Sequence, residues 1–403
     1  MPANLLQRIT TLHPETGGQM SHRICDVRVV DGLVSEVGDL TPKDDDTVDD
    51  LDGYLLLPAA VEPHAHLDKA FLAERIVNKT GDLMGAITAM RENRHLLGVD
   101  DIIERAERAA RLMAGNGYTA VRSHADTTIE HGLRSVEALT EVRRRVADVI
   151  DVEIVALIGW PLMGAAGADQ RALAREAMQA GVDLVGGVPH LEGADDRAAS
   201  EWLLDLASEH GMGVDLHTDE TLDPEVLGLV DLAELTLAGF DQPVTASHCV
   251  SLGMQPEAEQ RRVAELVAEA GISVIALPHT NLFLQGRGHA PMPRGLTAVA
   301  ALRDAGVTVA AGADNLQDPF NPVGRACPFE TAGLMIMAAH ALPHDAWSMV
   351  SQHSATATGR RTGGLEVGDP AHFVAVRADT VREAIATGPA DRRVWRHGRE
   401  IVL

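Results

Sequence analysis

The chain has 403 residues, 45% of them hydrophobic but only 3% aromatic, so its core must be built from aliphatic side chains. Lys+Arg 34 against Asp+Glu 59 gives a formal charge of −25, a field that repels phosphate backbones and anionic lipid and so argues against nucleic-acid and membrane partners. Cys25, Cys249 and Cys327 are odd in number and far apart, which argues against a disulfide framework or a thiolate metal site and for a reducing compartment.

No basic region followed by an apolar core opens the chain, and no apolar run approaches the roughly 18 residues of a membrane span; a cytoplasmic protein is expected. Residues 1–53 carry short β-like pieces, Ile24–Val30 and Leu33–Val37. The acidic group Asp44, Asp45, Asp46, Asp49, Asp50 and Asp52 reads as a solvated turn, because its spacing matches no calcium loop.

From residue 54 to about 360, short apolar runs alternate with amphipathic stretches, the pattern of a parallel α/β architecture. The predicted strands are Tyr54–Ala60, Tyr118–Ser123, Glu153–Gly159, Val182–Val188, Gly213–Leu216, Val244–Ser247, Ile272–Leu277 and Val307–Gly312. Predicted helices between them include Asp101–Ala114, Ser135–Ala147, Gln170–Ala180, Ala198–Glu209, Pro256–Glu269 and Leu296–Asp304. In the first, Ile102, Ala106, Ala109 and Met113 recur at helical spacing. Eight strands over about 300 residues fit a (β/α)8 TIM barrel. A doubly wound open sheet is the second option, although no Gly-rich phosphate loop follows the first strand. His372–Val376 and Arg393–Val402 close the chain. The two ends lack the core to stand alone, so residues 1–57 and 360–403 are expected to form a small β-sandwich domain beside a barrel of residues 58–359.

Barrel enzymes place their chemistry at the carboxyl ends of the strands. Reading those ends in order gives His64 and His66, His124, Trp160, His190, His217-Thr218-Asp219-Glu220, His248, His279 and Asp314. One strand-end histidine is commonly structural; His64 and His66 with His217, His248 and Asp314 make a metal site the better explanation.

The runs Val61-Glu62-Pro63-His64-Ala65-His66-Leu67-Asp68, Val121-Arg122-Ser123-His124-Ala125-Asp126, His217-Thr218-Asp219-Glu220 and Val244-Thr245-Ala246-Ser247-His248 resemble the amidohydrolase superfamily, in its cytosine deaminase-like branch. So do Leu284-Gln285-Gly286-Arg287 and Asp314-Asn315-Leu316-Gln317-Asp318-Pro319-Phe320. The resemblance implies that His64, His66, His217 and Asp314 hold one divalent ion, Zn2+ or Fe2+, with a position left for water. Relatives with two ions use a carboxylated lysine after the fourth strand; the three lysines here, Lys43, Lys69 and Lys79, all lie elsewhere. The implied activity is hydrolytic deamination of an aminated N-heterocycle by metal-activated hydroxide. Asp314 and His248 would orient and deprotonate the nucleophile, and Glu220 would carry protons to a ring nitrogen and the leaving amine. His124 would contact substrate or brace a ligand. His190 and His279 read as structural.

Leu83, Gly159, Trp160, Asn315 and Phe320 are the expected substrate-binding residues. Gly159 stands where cytosine deaminases carry a glutamine, Asn315 where they carry an aspartate, and Phe320 where a tryptophan is common. Loss of an amide and a carboxylate removes directional hydrogen bonds, so a cytosine-like pyrimidine, a purine or a triazine all remain open. Hydrolytic N-dealkylation or cyclic-amide hydrolysis is the alternative activity, and a non-catalytic barrel a remote one. The expected partner is a small heterocyclic substrate, and homo-oligomerisation is left open. The zinc deaminases of nucleosides and nucleic acids need P-C-x-x-C, and no C-x-x-C occurs.

Overall fold

The computed structural model describes residues 3–14 and 20–403; residues 1–2 and 15–19 of the expected terminal segment lie outside the described residues. Eight parallel strands follow one another in chain order: Ala60–Ala65, Tyr118–Thr127, Asp151–Ile158, Leu184–Gly187, Val214–Thr218, Val244–His248, Ser273–Ala276 and Val309–Ala311. A parallel bridge between Ala65 and Asp314 joins the last strand to the first, so the sheet closes into the (β/α)8 barrel. Its strands are buried on both faces, and hence read as apolar runs rather than alternations.

Helices pack around the barrel. Val99–Asn116 buries Ile102, Ala106, Ala109 and Met113, the expected stripe. It ends at Gly117, whose φ of +109° lets its N–H reach back to Ala114 and Met113. A Cβ at Gly117 would stand 3.1 Å from Val374 of the terminal sheet, so only glycine suits both the turn and the contact.

The terminal strands form a second sheet. Its order runs from Arg399–Glu400 through Arg392–Arg396, Phe373–Arg377, Tyr54–Pro58, Ala3–Pro14 and Met20–Val30 to Leu33–Gly38. Leu6, Ile9, Val27, Leu56, Phe373 and Trp395 share its core.

Three expectations need correction. The apolar run Tyr54–Ala60 is not one strand carrying the histidines. Tyr54–Pro58 belongs to the terminal sheet, and the first barrel strand is Ala60–Ala65. The chain changes sheets at Pro58-Ala59, where the Ala59 N–H bonds to His372 and the Ala60 N–H to Gly117. Leu55 and Leu57 face the barrel core while Tyr54 and Leu56 face the terminal core; double burial removed the alternation that would have separated the two strands. Second, the strand ends at Ala65, so His66 caps a 3-10 turn, Leu67–Lys69, rather than continuing the extended chain. Third, the acidic group is not merely a turn. Asp46–Asp50 is a strand parallel to the first, with Asp46 3.0 Å from buried Arg28 and Asp49 2.7 Å from Arg393. Among the described residues, no helix is long and apolar enough to cross a membrane.

Candidate active site and metal centre

The closing bridge of the barrel builds the centre of the site. The Asp314 N–H donates to the His64 carbonyl at 3.1 Å and the His66 N–H to the Asp314 carbonyl at 3.3 Å. Two strand ends far apart in sequence are thus locked in register, with Asp314 turned by a φ of +63°. His66 Nε2 lies 3.3 Å from both Asp314 Oδ1 and His217 Nε2. His64, His66 and Asp314 offer ligand atoms within 4.8 Å of one another, and so do His64, His124 and His217. All five are buried.

The hydrogen bonds fix a donor set suited to a cation. Ser247 Oγ donates to Asp215 Oδ1 at 2.8 Å, so it accepts from His64 Nδ1 at 2.9 Å. That proton on Nδ1 leaves the Nε2 lone pair of His64 facing the cluster, buried and without a protein partner. Both Asp314 carboxylate oxygens are likewise buried and unpartnered. Each such atom costs about 1–3 kcal/mol when uncompensated, and a divalent ion held by neutral imidazoles and a carboxylate offsets that cost. The residues therefore fit a single divalent ion. Burial raises the Asp314 carboxyl, but the His66 imidazole 3.3 Å away, with those of His64 and His248, holds it below its ordinary value, hence ionised. Burial above all pushes His217 and His124 well below the ordinary imidazole value, so they stay neutral.

His66 is held differently. Lys69 Nζ sits 2.9 Å from its Nδ1 and 2.8 Å from Asp126. An ammonium only donates, so here His66 Nδ1 accepts and Nε2 carries the proton toward Asp314. Ligation through Nε2 requires the other tautomer, with Lys69 turned wholly to Asp126.

A cavity opens above this cluster, lined by His66, His217, Glu220, His248 and Asp314. All five expected substrate-binding residues, Leu83, Gly159, Trp160, Asn315 and Phe320, also line it. The Asn315 amide is already engaged, accepting from Thr280 at 3.1 Å and donating to Asp318 at 2.7 Å. Gly159 leaves no vacant slot, because a Cβ there would stand 2.7 Å from Thr128 Cγ2. Arg91 lies over the Trp160 ring at 4.1 Å.

Glu220 is 6% exposed. Burial, and then the Asp314 charge, push its carboxyl well above the ordinary value, which favours its neutral, protonated form. Its Oε1 lies 3.6 Å from His248 Nδ1. Burial takes His248 down to about 3, so that imidazole is neutral too. His248 Nδ1 meets the Asn281 amide at 3.1 Å, and Nε2 stands 4.0 Å from Asp314.

The remaining histidines separate clearly. Neither nitrogen of His124 has a hydrogen-bond partner; Nε2 is 3.7 Å from Asp215, so the bracing bond is not made. His190 Nδ1 donates to the His217 carbonyl at 3.0 Å, and its ring lines the cavity. His279 bonds Thr331 at 3.1 Å and does not line the cavity. Sequence reasoning missed Asp215, Arg94 and Asp126. Asp215 lies within a strand, tied to Arg122 at 3.0 Å, and its strand position carries no local signal. Arg94 arrives on a 3-10 turn after the helix Leu83–Asn93, whose weak periodicity hid it.

Residues 78–402 match the model of the amidohydrolase family. Pterin deaminase of Rhizobium rhizogenes is 35% identical over 400 residues, covering 96% of this chain and 89% of the relative. A crystal structure of 5-methylcytosine deaminase from Klebsiella pneumoniae, liganded with 5-fluorocytosine, superposes with a TM-score of 0.88 at 30% identity, covering 99% of this chain and 97% of that one. That of N-isopropylammelide isopropylaminohydrolase from Burkholderia multivorans gives 0.84 at 27% identity, covering 100% and 98%. The chain belongs to the amidohydrolase family, in its cytosine deaminase-like branch.

Proposed function

We propose that this protein is a metal-dependent hydrolase that releases ammonia from an aminated N-heterocycle. The observation that carries the reading is Glu220, a buried carboxyl lining the same cavity as the unpartnered imidazole and carboxylate atoms, where burial favours its protonated form. We assign the ion to His64, His66, His217 and Asp314. Three imidazoles and one carboxylate suit Zn2+ or Fe2+. When bound, the ion supplies a water of lowered pKa and polarises the reacting group.

The chain's own residues move the protons. Glu220 gives its proton to a ring nitrogen as water adds to the amino-bearing carbon. The resulting carboxylate takes one proton from that water and delivers it to the amine, which leaves as ammonia; the second proton of the water passes to Glu220 as the carbon becomes a carbonyl, restoring the acid. His248, neutral and beside Asp314, hydrogen-bonds the adding oxygen. Trp160, Phe320 and Leu83 clamp the flat ring.

Pterin, 5-methylcytosine and N-isopropylammelide, named in the relatives, all bear an exocyclic amine and a ring oxo group. A screen of zinc- and iron-loaded protein for ammonia release from aminopyrimidines, aminopurines, pterins and aminotriazines tests the proposal. The similarity to N-isopropylammelide isopropylaminohydrolase supports a second reading, removal of an alkylamine. Alkylamine release without ammonia from any substrate would replace the first reading with the second.

A further inference from the structure

The cavity wall that runs from Lys69, beside His66, to Arg94 is charged, and its charges are unevenly matched. Lys69 is paired to Asp126 at 2.8 Å, with Asp68 at 3.9 Å. Arg94 also lines the cavity, its side chain only 11% exposed, and it shares Asp126 with Lys69 at the longer separation of 3.7 Å, beyond direct hydrogen-bond reach. Its Nη1 donates to the neutral hydroxyl of Thr128, its Nη2 stands 3.7 Å from Asp126, and its Nε is buried without a partner. Arg94 is thus a largely enclosed cation with spare donors.

Thr128 links this wall to the altered position 159. Its methyl occupies the space a side chain at Gly159 would need, and its hydroxyl anchors Arg94. The donor that a longer residue at 159 would present is therefore replaced by one arriving from the turn after Leu83–Asn93. Arg94 has only donors, so the atom it meets must accept. Asp126 beside it has only acceptors. A carbonyl next to a ring N–H, the edge of a lactam, satisfies both.

We propose that Arg94 is the specificity-determining residue of the cavity and that it binds the ring oxo oxygen of a lactam-bearing heterocycle. The inference rests on the deaminase reading for the substrate class, but its test does not need turnover. Binding of matched heterocycles with and without the oxo group is measured by calorimetry on zinc-loaded wild type, Arg94→Met, Arg94→Lys and Thr128→Val. The pairs are isocytosine with 2-aminopyrimidine, guanine with 2-aminopurine, and pterin with 2-aminopteridine. A charge-assisted hydrogen bond predicts a wild-type preference for the oxo member of about 10- to 100-fold. Arg94→Met should bring that preference close to one, with Arg94→Lys and Thr128→Val between. Metal content and melting temperature, read alongside, separate misfolding from lost recognition. An equal affinity for both members in wild type, or an unchanged preference in Arg94→Met, overturns the proposal. Oxo-selective, Arg94-dependent binding without ammonia release would sink the deaminase reading and leave this one standing.

Discussion

The Ser247 hydroxyl lies 2.9 Å from His64 Nδ1 and 2.8 Å from Asp215, so it orients the imidazole of one strand from the carboxylate of another. Removing it leaves the His64 tautomer unspecified. Ser247→Ala should weaken metal affinity by about 10- to 100-fold, as loss of an orienting partner does elsewhere. Competition with a chelator measures this, and an unchanged affinity would show that Ser247 has no orienting role.

Glu220→Gln should keep the metal and the fold while lowering kcat by about 100- to 10,000-fold. Because the raised pKa keeps the wild-type group protonated, turnover should fall as pH rises through that elevated value. A variant with near-normal kcat would remove Glu220 from the proton path.

Gly159→Gln should not restore the hydrogen bond read by cytosine deaminases. The new Cβ meets Thr128 Cγ2 at 2.7 Å, and overpacking of this kind costs about 1–3 kcal/mol. Gly159→Gln with Thr128→Ala should recover at least half of the lost melting temperature. If the single variant is as stable as wild type, the wall is softer than the contact implies.

Asp318 accepts bonds from Asn315, Phe320 and Asn321, and burial pushes its carboxyl from 3.8 to about 7. A raised folded-state pKa stabilises the native form below the unfolded value and loses that contribution as pH rises. The stability advantage of wild type over Asp318→Asn should shrink by up to about 1.4 kcal/mol per pH unit between pH 4 and 7. Urea titrations across that window check it; parallel curves for the two proteins would refute it.

Sequence alone determined the barrel, the terminal sheet and the strand-end cluster. Its strands read as doubly buried apolar runs, and chemistry collects where such runs end. His64, His66, His217 and Asp314 were legible because each sits at a strand end or beside one in a short motif. Tertiary structure alone decided what surrounds them. Whether Tyr54–Pro58 belonged to the barrel depended on a change of sheet that burial on both faces concealed. Asp215, Thr128 and Arg94 act through partners 32, 31 and 34 positions away in the chain, and no local pattern records a contact closed only by folding. Residue types at the ends of apolar runs can be read along a sequence; hydrogen-bond partners and steric exclusions exist only in three dimensions.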